Sequence, residues 1–322
     1  MCGAPHPTGQ YLPYQGLILQ CPSRIYDVPI LVREGVATLL QRYPPSFYSS
    51  GTPHKLFAGF RPILVCGLSQ PANLPILTAL QVLHSFLTRR SSFLATDSWK
   101  TEPFADVSAT PLQALMNDVI AVPAIFEELD TCKFMPASRA VYHAENALTM
   151  IVAVVDRLTQ SYHSTLLSGN SWWYMSRAEN EVSLWFPDIT VANYLTHYWA
   201  FWIICVTHIR QLREAYPSLK EREVLVDGQA PESQDISEKL MDLSTQIFQS
   251  IEFLIQDEMK LFGIASAALP FQTACSFLKR NNGSEGVCSG MYKQVLDKIV
   301  QRGYGNMLIN GALSFGYPQP TV

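Results

Sequence analysis

The chain has 322 residues, of which 48% are hydrophobic and 16% are charged, with a formal net charge of -4. A charged fraction below the usual quarter or so of soluble domains indicates much buried surface and excludes a disordered chain. The slight acidic excess argues against direct nucleic-acid binding, which requires a basic stripe. The seven cysteines form no C-x-x-C pair, so neither a zinc site nor a disulfide framework is predicted.

The first 70 residues are rich in proline and glycine and form the first predicted segment of the chain. One helix is predicted in it, at 28–43, ending at a Pro-Pro pair. Across 46–70 the frequent glycine and proline predict a loop, and 63–66 remains open between a strand and a helical turn. The N-terminus lacks a basic region followed by an apolar one, so no signal peptide is predicted and the chain is expected to be intracellular.

Residues 71–322 are predicted to form one helical domain, because apolar residues recur at steps of three and four. The clearest start signal is Thr110-Pro111, where Gln113 is expected to complete a capping box, and Pro123 should kink or stop that helix. The predicted helices are 75–90, 110–123, 136–158, 188–213, 235–262 with Gly263 as its stop, one beginning near Pro270, and one from 291 to Gly303, whereas 97–104, 168–187 and 217–234 are predicted as loops.

The helix at 188–213 is predicted to be the centre of the fold. Its apolar residues lie on most sides, Asp188 can cap its start, and Arg213 suits the negative end of its dipole. Polar residues and Pro187 interrupt the apolar run, so no membrane span is predicted. No convincing strand pattern or repeat appears, and the predicted class is all-α, a multi-helix array around this helix.

Short motifs with chemical meaning are few and incomplete. Gly286-Val-Cys-Ser-Gly290 matches a nucleophile elbow, but no strand pattern precedes it, so we interpret it as a loop at a helix start. His143-Ala-Glu145 is half of a zinc-deaminase motif that lacks its P-C-x-x-C partner. His197 and His208 lie about 16 Å apart along one helix, too far to bind one metal, and are interpreted as core histidines. No catalytic residue, cofactor site or metal ligand is predicted.

The aromatic residues of the central helix leave one alternative open. Tyr198, Trp199 and Trp202, with His197, could line a pocket in an enzyme of specialised metabolism or in a small-molecule binder. Large aromatic side chains more often serve simply as core. A deep apolar pocket with two or three converging titratable groups would favour the enzyme or binder.

Several stretches resemble the C-terminal regulatory region of fungal zinc-cluster transcription factors. The most specific are Ser98-Trp-Lys-Thr-Glu-Pro-Phe104, then Pro111-Leu-Gln-Ala-Leu-Met-Asn-Asp118 and Val122-Pro-Ala-Ile-Phe-Glu-Glu-Leu-Asp130. That family has a Trp-x-x-x-Pro-aromatic stretch, a helix, and a proline-centred linker before the next helix. The resemblance covers roughly 75–310, carries no catalytic motif, and continues in Tyr194 to Leu212, Gln256 to Gly263, Leu269 to Ala274, and Arg302-Gly303.

The resemblance implies an all-helical domain that regulates transcription through protein partners, a DNA-binding regulator among them, or through a small effector. It implies a nuclear location, with the cytoplasm as the alternative. Family members carry an N-terminal six-cysteine zinc cluster, whereas Cys2, Cys21 and Cys66 lack the spacing for one. The chain is therefore expected not to bind DNA by itself. It is interpreted either as a truncated gene model or as a stand-alone regulator that acts through a partner. A partner-binding scaffold that uses the exposed loop at 217–234 or an uncovered apolar helix face is a third hypothesis.

Overall fold

The computed structural model describes residues 36–67, 81–82, 89–132, 134–167, 174–178, 181–219, 226, 228–229, 233–281 and 287–303. Over these residues the predicted all-α class is confirmed, with two short antiparallel hairpins as the strand content. The elements are α1 (Gly51–Val65), β1 (Cys66–Gly67), β2 (Gln81–Val82), α2 (Asp97–Thr101), α3 (Pro111–Val119), α4 (Val122–Cys132), α5 (Ala137–Leu167), β3 (Tyr174–Ala178), β4 (Glu181–Trp185), α6 (Ile189–Ala215), α7 (Gln234–Leu254), α8 (Lys260–Asn281) and α9 (Val287–Gln301).

Helix α6 is the predicted central helix, and its position confirms that prediction. Asp188 caps it by accepting hydrogen bonds from the backbone N–H groups of Thr190 and Val191, at 2.8 and 2.9 Å. Helices α3, α5, α7 and α8 all pack against it, and most of its residues are buried. By length and composition α6 could also cross a membrane, but 83% of its most apolar window is buried inside the protein, as in the core helix of a globular fold.

The start of α3 forms by the predicted cap, but the capping box is only half made. The Thr110 hydroxyl accepts from the Gln113 N–H at 3.4 Å, while the Gln113 amide donates to the Ala58 carbonyl at 2.9 Å. The Gln113 side chain therefore makes a tertiary hydrogen bond to α1 and does not complete the capping box. Pro123 occupies the second position of α4, so the predicted interruption after α3 is confirmed.

The predicted loop at 46–70 is wrong, because α1 occupies most of it. Gly51, at a φ of 65°, provides the turn into the helix, and Pro53 lies in the first turn, where its missing N–H leaves no helical hydrogen bond unmade. Phe57 and Arg61, one turn apart, are fully buried. Burial of that face overrides the weak local helix signal. The loop predicted at 97–104 is likewise wrong, since α2 and a 3-10 turn at Glu102–Phe104 lie there.

The helix predicted at 75–90 is contradicted wherever its residues are described. Gln81–Val82 is extended and pairs antiparallel with Cys66–Gly67. Arg89 lies in a turn at a φ of 52°, not at the end of a helix. Strand pairing across the chain is not visible in a local apolar period, which explains the error. Of the helix predicted at 28–43, residues 36–41 are helical and the rest falls outside the described residues.

A β-hairpin replaces part of the loop predicted at 168–187. Strands β3 and β4 pair in register from Tyr174 opposite Trp185 to Ala178 opposite Glu181. Trp172 and Trp173 of that predicted loop lie outside the described residues. In the predicted exposed loop at 217–234, the described residues include buried Leu219 and Val226, so that segment is partly packed.

The boundary between α7 and α8 differs from the predicted one. Gly263 was expected to stop a helix, yet α7 ends at Leu254 and α8 runs from Lys260 through Gly263 and Pro270. A Cβ atom at Gly263 would lie 1.9 Å from the Leu254 carbonyl oxygen. Glycine is therefore required for close backbone approach rather than for a C-cap. The N-cap of α7 is Ser233, and the predicted stop of the last helix at Gly303 is confirmed by its φ of 78°.

Candidate functional site

A buried polar cluster joins the segment before α2 to helices α4 and α6, and Arg89 is its centre. The Arg89 Nε donates to Asp130 Oδ2 at 2.8 Å. Its Nη1 lies 3.2 Å from His208 Nε2, and its Nη2 donates to the Phe126 carbonyl at 3.3 Å. Arg89 is only 6% exposed, whereas Asp130 is 39% exposed, so one end of the ion pair reaches solvent. The three contacts place a single cation between two helices.

Aromatic stacking completes the cluster. The guanidinium of Arg89 lies 4.8 Å from the ring centroid of Phe126. That ring stacks on the imidazole of His208 at a centroid distance of 4.0 Å and an interplanar angle of 19°. The Arg89 guanidinium thus contacts both stacked rings: it makes a cation–π contact with Phe126 and a hydrogen bond to Nε2 of His208.

The hydrogen bonds of His208 fix its protonation. Since arginine only donates, Nε2 must accept from Arg89, and the ring proton belongs on Nδ1, which donates to the Ile204 carbonyl at 2.8 Å. Burial, and next the positive charge of Arg89, lower the pKa of His208 to about 3. His208 is therefore neutral at physiological pH, and both ring nitrogens are engaged. Neither nitrogen is open for proton transfer or for a metal ion.

A small cavity lies on the other side of His208, between α6 and α8. Its free space is about 10 Å³, close to the minimum that one water molecule needs. The hydroxyls of Thr207 and Thr273 are buried there without a hydrogen-bond partner in the described part of the chain. The cavity therefore has room for one water-sized polar group beside these hydroxyls. The lining residues are Ile203, Ile204, Thr207, His208, Thr273, Ser276, Phe277 and Arg280.

The four predicted pocket residues lie on α6 and are all buried. Tyr198 stacks on Tyr162 at 4.2 Å and 2°, and Lys239 lies 4.5 Å from the ring centroid of Trp202. Burial lowers the pKa of His197 to about 4, and its Nδ1 lies 2.8 Å from the Asn193 carbonyl. Trp199 has no exposed surface, like Trp202. None of the four lines the cavity described above, which begins one residue further along at Ile203.

The remaining motif residues are not brought together. Cys288 lies in α9, and His143 contacts Glu128 through Nδ1 and Oε1 at 2.5 Å near the surface. The half-buried Glu145 follows His143 on α5. Among the residues with described positions, no group of three or more His, Cys, Asp or Glu side chains could hold a metal ion.

Sequence reasoning overlooked Arg89, Asp130, Thr273 and Arg280. The Arg89-Arg90 pair falls at the end of the helix predicted at 75–90, and nothing local distinguishes the buried arginine from its exposed neighbour. The one available signal is a charged residue in an otherwise apolar and acid-free stretch, since no Asp or Glu lies between Glu34 and Asp97. A buried cation there requires acceptors from distant segments.

Comparison with protein-family models, curated proteins and solved structures gave no significant match. The function must therefore be inferred from the residues and their geometry. That geometry contains a neutral histidine, a paired arginine and a water-sized cavity between two core helices. These features can stabilise helix packing, and they provide no activated nucleophile or general base.

Proposed function

We propose that this protein is a non-catalytic, transcription-regulator-like protein that acts through protein partners or a small effector, and not through a DNA-binding domain of its own. The nucleus is its proposed location, with the cytoplasm as the alternative. The observation that carries the proposal is that the three stretches most specific to the fungal regulatory region, 98–104, 111–118 and 122–130, each contribute buried side chains to one helical array. Catalytic motifs would instead be expected to converge on a cleft.

The Trp-x-x-x-Pro-aromatic stretch illustrates this packing. Trp99 is buried, with its ring 5.0 Å from Phe93 and 5.8 Å from Phe57. Pro103 is buried as well, and its carbonyl lies 2.8 Å from His54 Nδ1. Both residues of the stretch therefore contact α1, which supports a scaffolding role for it.

The state of the buried titratable groups supports a non-catalytic role. Burial raises the pKa values of the Cys205 and Cys275 thiols to about 12, so both are protonated and poor nucleophiles. The pKa values of His197 and His208 lie near 4 and 3, far below the range useful to a general base. The alternative, a specialised-metabolism enzyme with a pocket around Trp199 and Trp202, would have to place its ligand beside side chains that have no exposed surface.

A tethering assay tests the regulatory proposal. The chain is fused to a heterologous DNA-binding domain, and transcription of a reporter with matching sites is measured. We expect the reporter to change in the presence of the fusion, in either direction, and to stay unchanged with the Gly263→Leu fusion, whose α7–α8 contact is blocked. The Gly59→Ala fusion, which meets no atom within 4 Å, is the matched control and should behave as the parent. An unchanged reporter with a folded parent fusion contradicts the proposal.

A gel-shift measurement with the purified chain tests the second half of the proposal. Specific DNA-binding proteins reach affinities of about 10⁻⁸ M or better at physiological salt. We expect this chain to show no such binding to duplex DNA and no loss of structure on treatment with a zinc chelator. Nanomolar binding that persists as salt is raised would contradict the proposal, because non-specific binding weakens steeply with salt.

The small-effector variant of the proposal has one favourable observation. The cavity between α6 and α8 presents the unsatisfied hydroxyls of Thr207 and Thr273. An effector larger than water has to displace a lining side chain, such as that of Phe277. A thermal-shift screen of metabolites at saturating concentration measures this, since ligand binding raises the melting temperature. We expect any stabilising compound to lose its effect in Thr273→Val.

A further inference from the structure

We propose that an exposed apolar patch at the N-terminal edge of the described fold binds an acidic, amphipathic peptide segment of a partner protein. This inference rests on the proposed function, because it names the surface and the chemistry of the partner. The patch consists of four large side chains that are about half exposed: Leu39 at 52%, Tyr43 at 43%, Phe47 at 46% and Leu56 at 51%.

Three short elements form the patch, and buried Tyr48 joins them. Its hydroxyl donates to the Leu40 carbonyl at 3.0 Å, which fixes the end of the helical residues 36–41. Its ring lies 5.2 Å from Phe47 and 5.6 Å from Phe57, the neighbour of Leu56 on α1. Tyr43 and Phe47 stack on each other at 4.4 Å. The exposed rings are therefore held in place before a partner arrives, which lowers the entropic cost of binding.

The clustering of these side chains sets the patch apart from scattered surface residues. Four of the ten large hydrophobic side chains with high exposure in the described chain fall within 39–56. Single exposed apolar residues are normal, whereas contiguous ones mark interaction sites. Tyrosine and phenylalanine are also among the residues enriched in interfaces.

Charge identifies the partner. No acidic residue lies between Glu34 and Asp97, while Arg42 and Lys55 are both exposed within the patch. Two carboxylates border it: Asp106 accepts the Ser49 hydroxyl at 2.6 Å, and Glu102 lies in the 3-10 turn that packs on residues 45–48. The whole chain carries a net charge of -4, whereas the segment 36–67 that forms the patch contains Arg42, Lys55 and Arg61 and no acidic residue. A ligand with apolar side chains flanked by carboxylates is complementary to such a surface.

Two other occupants are less favoured. Anionic membranes are recognised by clusters of about four to eight cations, and this patch has two exposed ones. A second copy of the chain would have to supply the same patch across a two-fold axis, which brings Arg42 and Lys55 against their own kind. Both occupants are outcomes of the experiment below.

The experiment measures fluorescence anisotropy of a labelled synthetic peptide of about 20 residues in which aspartate alternates with leucine and phenylalanine. We expect saturable binding to the full chain that weakens as salt rises. Phe47→Ser and the double substitution Arg42→Glu, Lys55→Glu should each weaken binding by roughly tenfold or more. The charge-reversal variant should also lose most of the salt dependence. Because Arg42 and Lys55 are exposed, the charge-reversal variant should remain folded, and thermal unfolding measures its stability.

Matched controls come from an exposed aromatic elsewhere on the protein. Phe134 is 87% exposed at the turn between α4 and α5, and Arg139 is exposed as well. We expect Phe134→Ser and Arg139→Glu to leave the peptide affinity unchanged. Equal losses in these controls, or no peptide binding at all, overturn the proposal. The proposal is also overturned if the chain binds phosphatidylserine vesicles but not the peptide, and Phe47→Ser abolishes the vesicle binding. It is overturned as well if the chain forms a concentration-dependent dimer that Phe47→Ser removes. The reporter assay uses no added peptide. Its result therefore tests the proposed regulatory function independently of the peptide-binding proposal.

Discussion

Arg89 and His208 lie 119 positions apart in the chain, yet Arg89 Nη1 approaches His208 Nε2 to 3.2 Å inside the core. The contact determines the properties of both residues. It fixes the proton of His208 on Nδ1, and it holds Arg89 in a left-handed backbone conformation that arginine rarely adopts. A strained residue persists only where its surroundings stabilise it, so the cluster should contribute measurably to stability.

Arg89→Ala removes three hydrogen bonds and leaves the Phe126 carbonyl and His208 Nε2 buried without this donor. We expect a loss of about 3 kcal/mol in the free energy of unfolding, measured by urea denaturation. Arg90→Ala, at the exposed neighbour, should change it by no more than about 0.5 kcal/mol. Similar effects at both positions would show that burial of Arg89 adds nothing.

Stability should fall as the solution is acidified from pH 7. Burial lowers the folded-state pKa values of His197 and His208 to about 4 and about 3, below the ordinary histidine value of about 6.5. Below pH 6.5 the two histidines bind protons in the unfolded state but stay neutral in the folded state. The free energy of unfolding therefore decreases with falling pH. Each histidine contributes up to about 1.4 kcal/mol per pH unit well below pH 6.5.

Urea denaturation between pH 7 and about pH 5.5 isolates this effect from most carboxylates, whose reference pKa values lie near 4. The double variant His197→Gln, His208→Gln should show a flatter dependence on pH. The exposed His163 provides the control, because His163→Gln should leave the slope of the parent unchanged. A pH-independent parent would contradict the buried, neutral state of the two histidines.

Two glycines within helices should respond to alanine in opposite directions. At Gly263 an added Cβ lies 1.9 Å from the Leu254 carbonyl oxygen and 2.6 Å from Met259 Cβ, so α7 and α8 must separate. We expect Gly263→Ala to cost about 3 kcal/mol of stability. Gly59→Ala meets no atom within 4 Å and should stabilise α1 by about 0.5 to 1 kcal/mol. Thermal unfolding of both variants measures the contrast.

Three buried thiols should resist alkylation in the folded protein. Burial raises the pKa values of Cys132, Cys205 and Cys275, the last two to about 12, and only the thiolate reacts. We expect N-ethylmaleimide at neutral pH to leave all three unmodified until denaturant unfolds the chain, as mapped by peptide mass spectrometry. Rapid labelling of Cys205 in native buffer would show that α6 opens far more often than its packing suggests.

The elements that the sequence predicted well have strong local signals. The Asp188 cap and the nearly continuous apolar surface after it gave α6, and the Thr110-Pro111 pair gave the start of α3. Elements whose stability depends on distant partners were missed. Helix α1 contains glycine and proline residues that suggest a loop, and it forms because Phe57 and Arg61 are buried against other segments.

The candidate site shows the same division more sharply. His197 and His208 were correctly interpreted as core histidines, since their spacing on one helix excludes a shared metal. The cluster around Arg89 could not be foreseen, because its members come from three segments that the fold alone brings together. The predicted pocket residues Tyr198, Trp199 and Trp202 are buried, and their role as pocket lining stays a prediction.

The amino-acid sequence alone was sufficient to specify an all-helical protein built on a wrapped central helix, because capping and apolar periodicity act between near neighbours. The tertiary structure decided which charges are buried, where Gly263 permits close contact, and which apolar side chains remain exposed from Leu39 to Leu56. Those properties depend on distances between residues that are remote in the chain. They arise only when long-range packing places each side chain against its partner or against solvent.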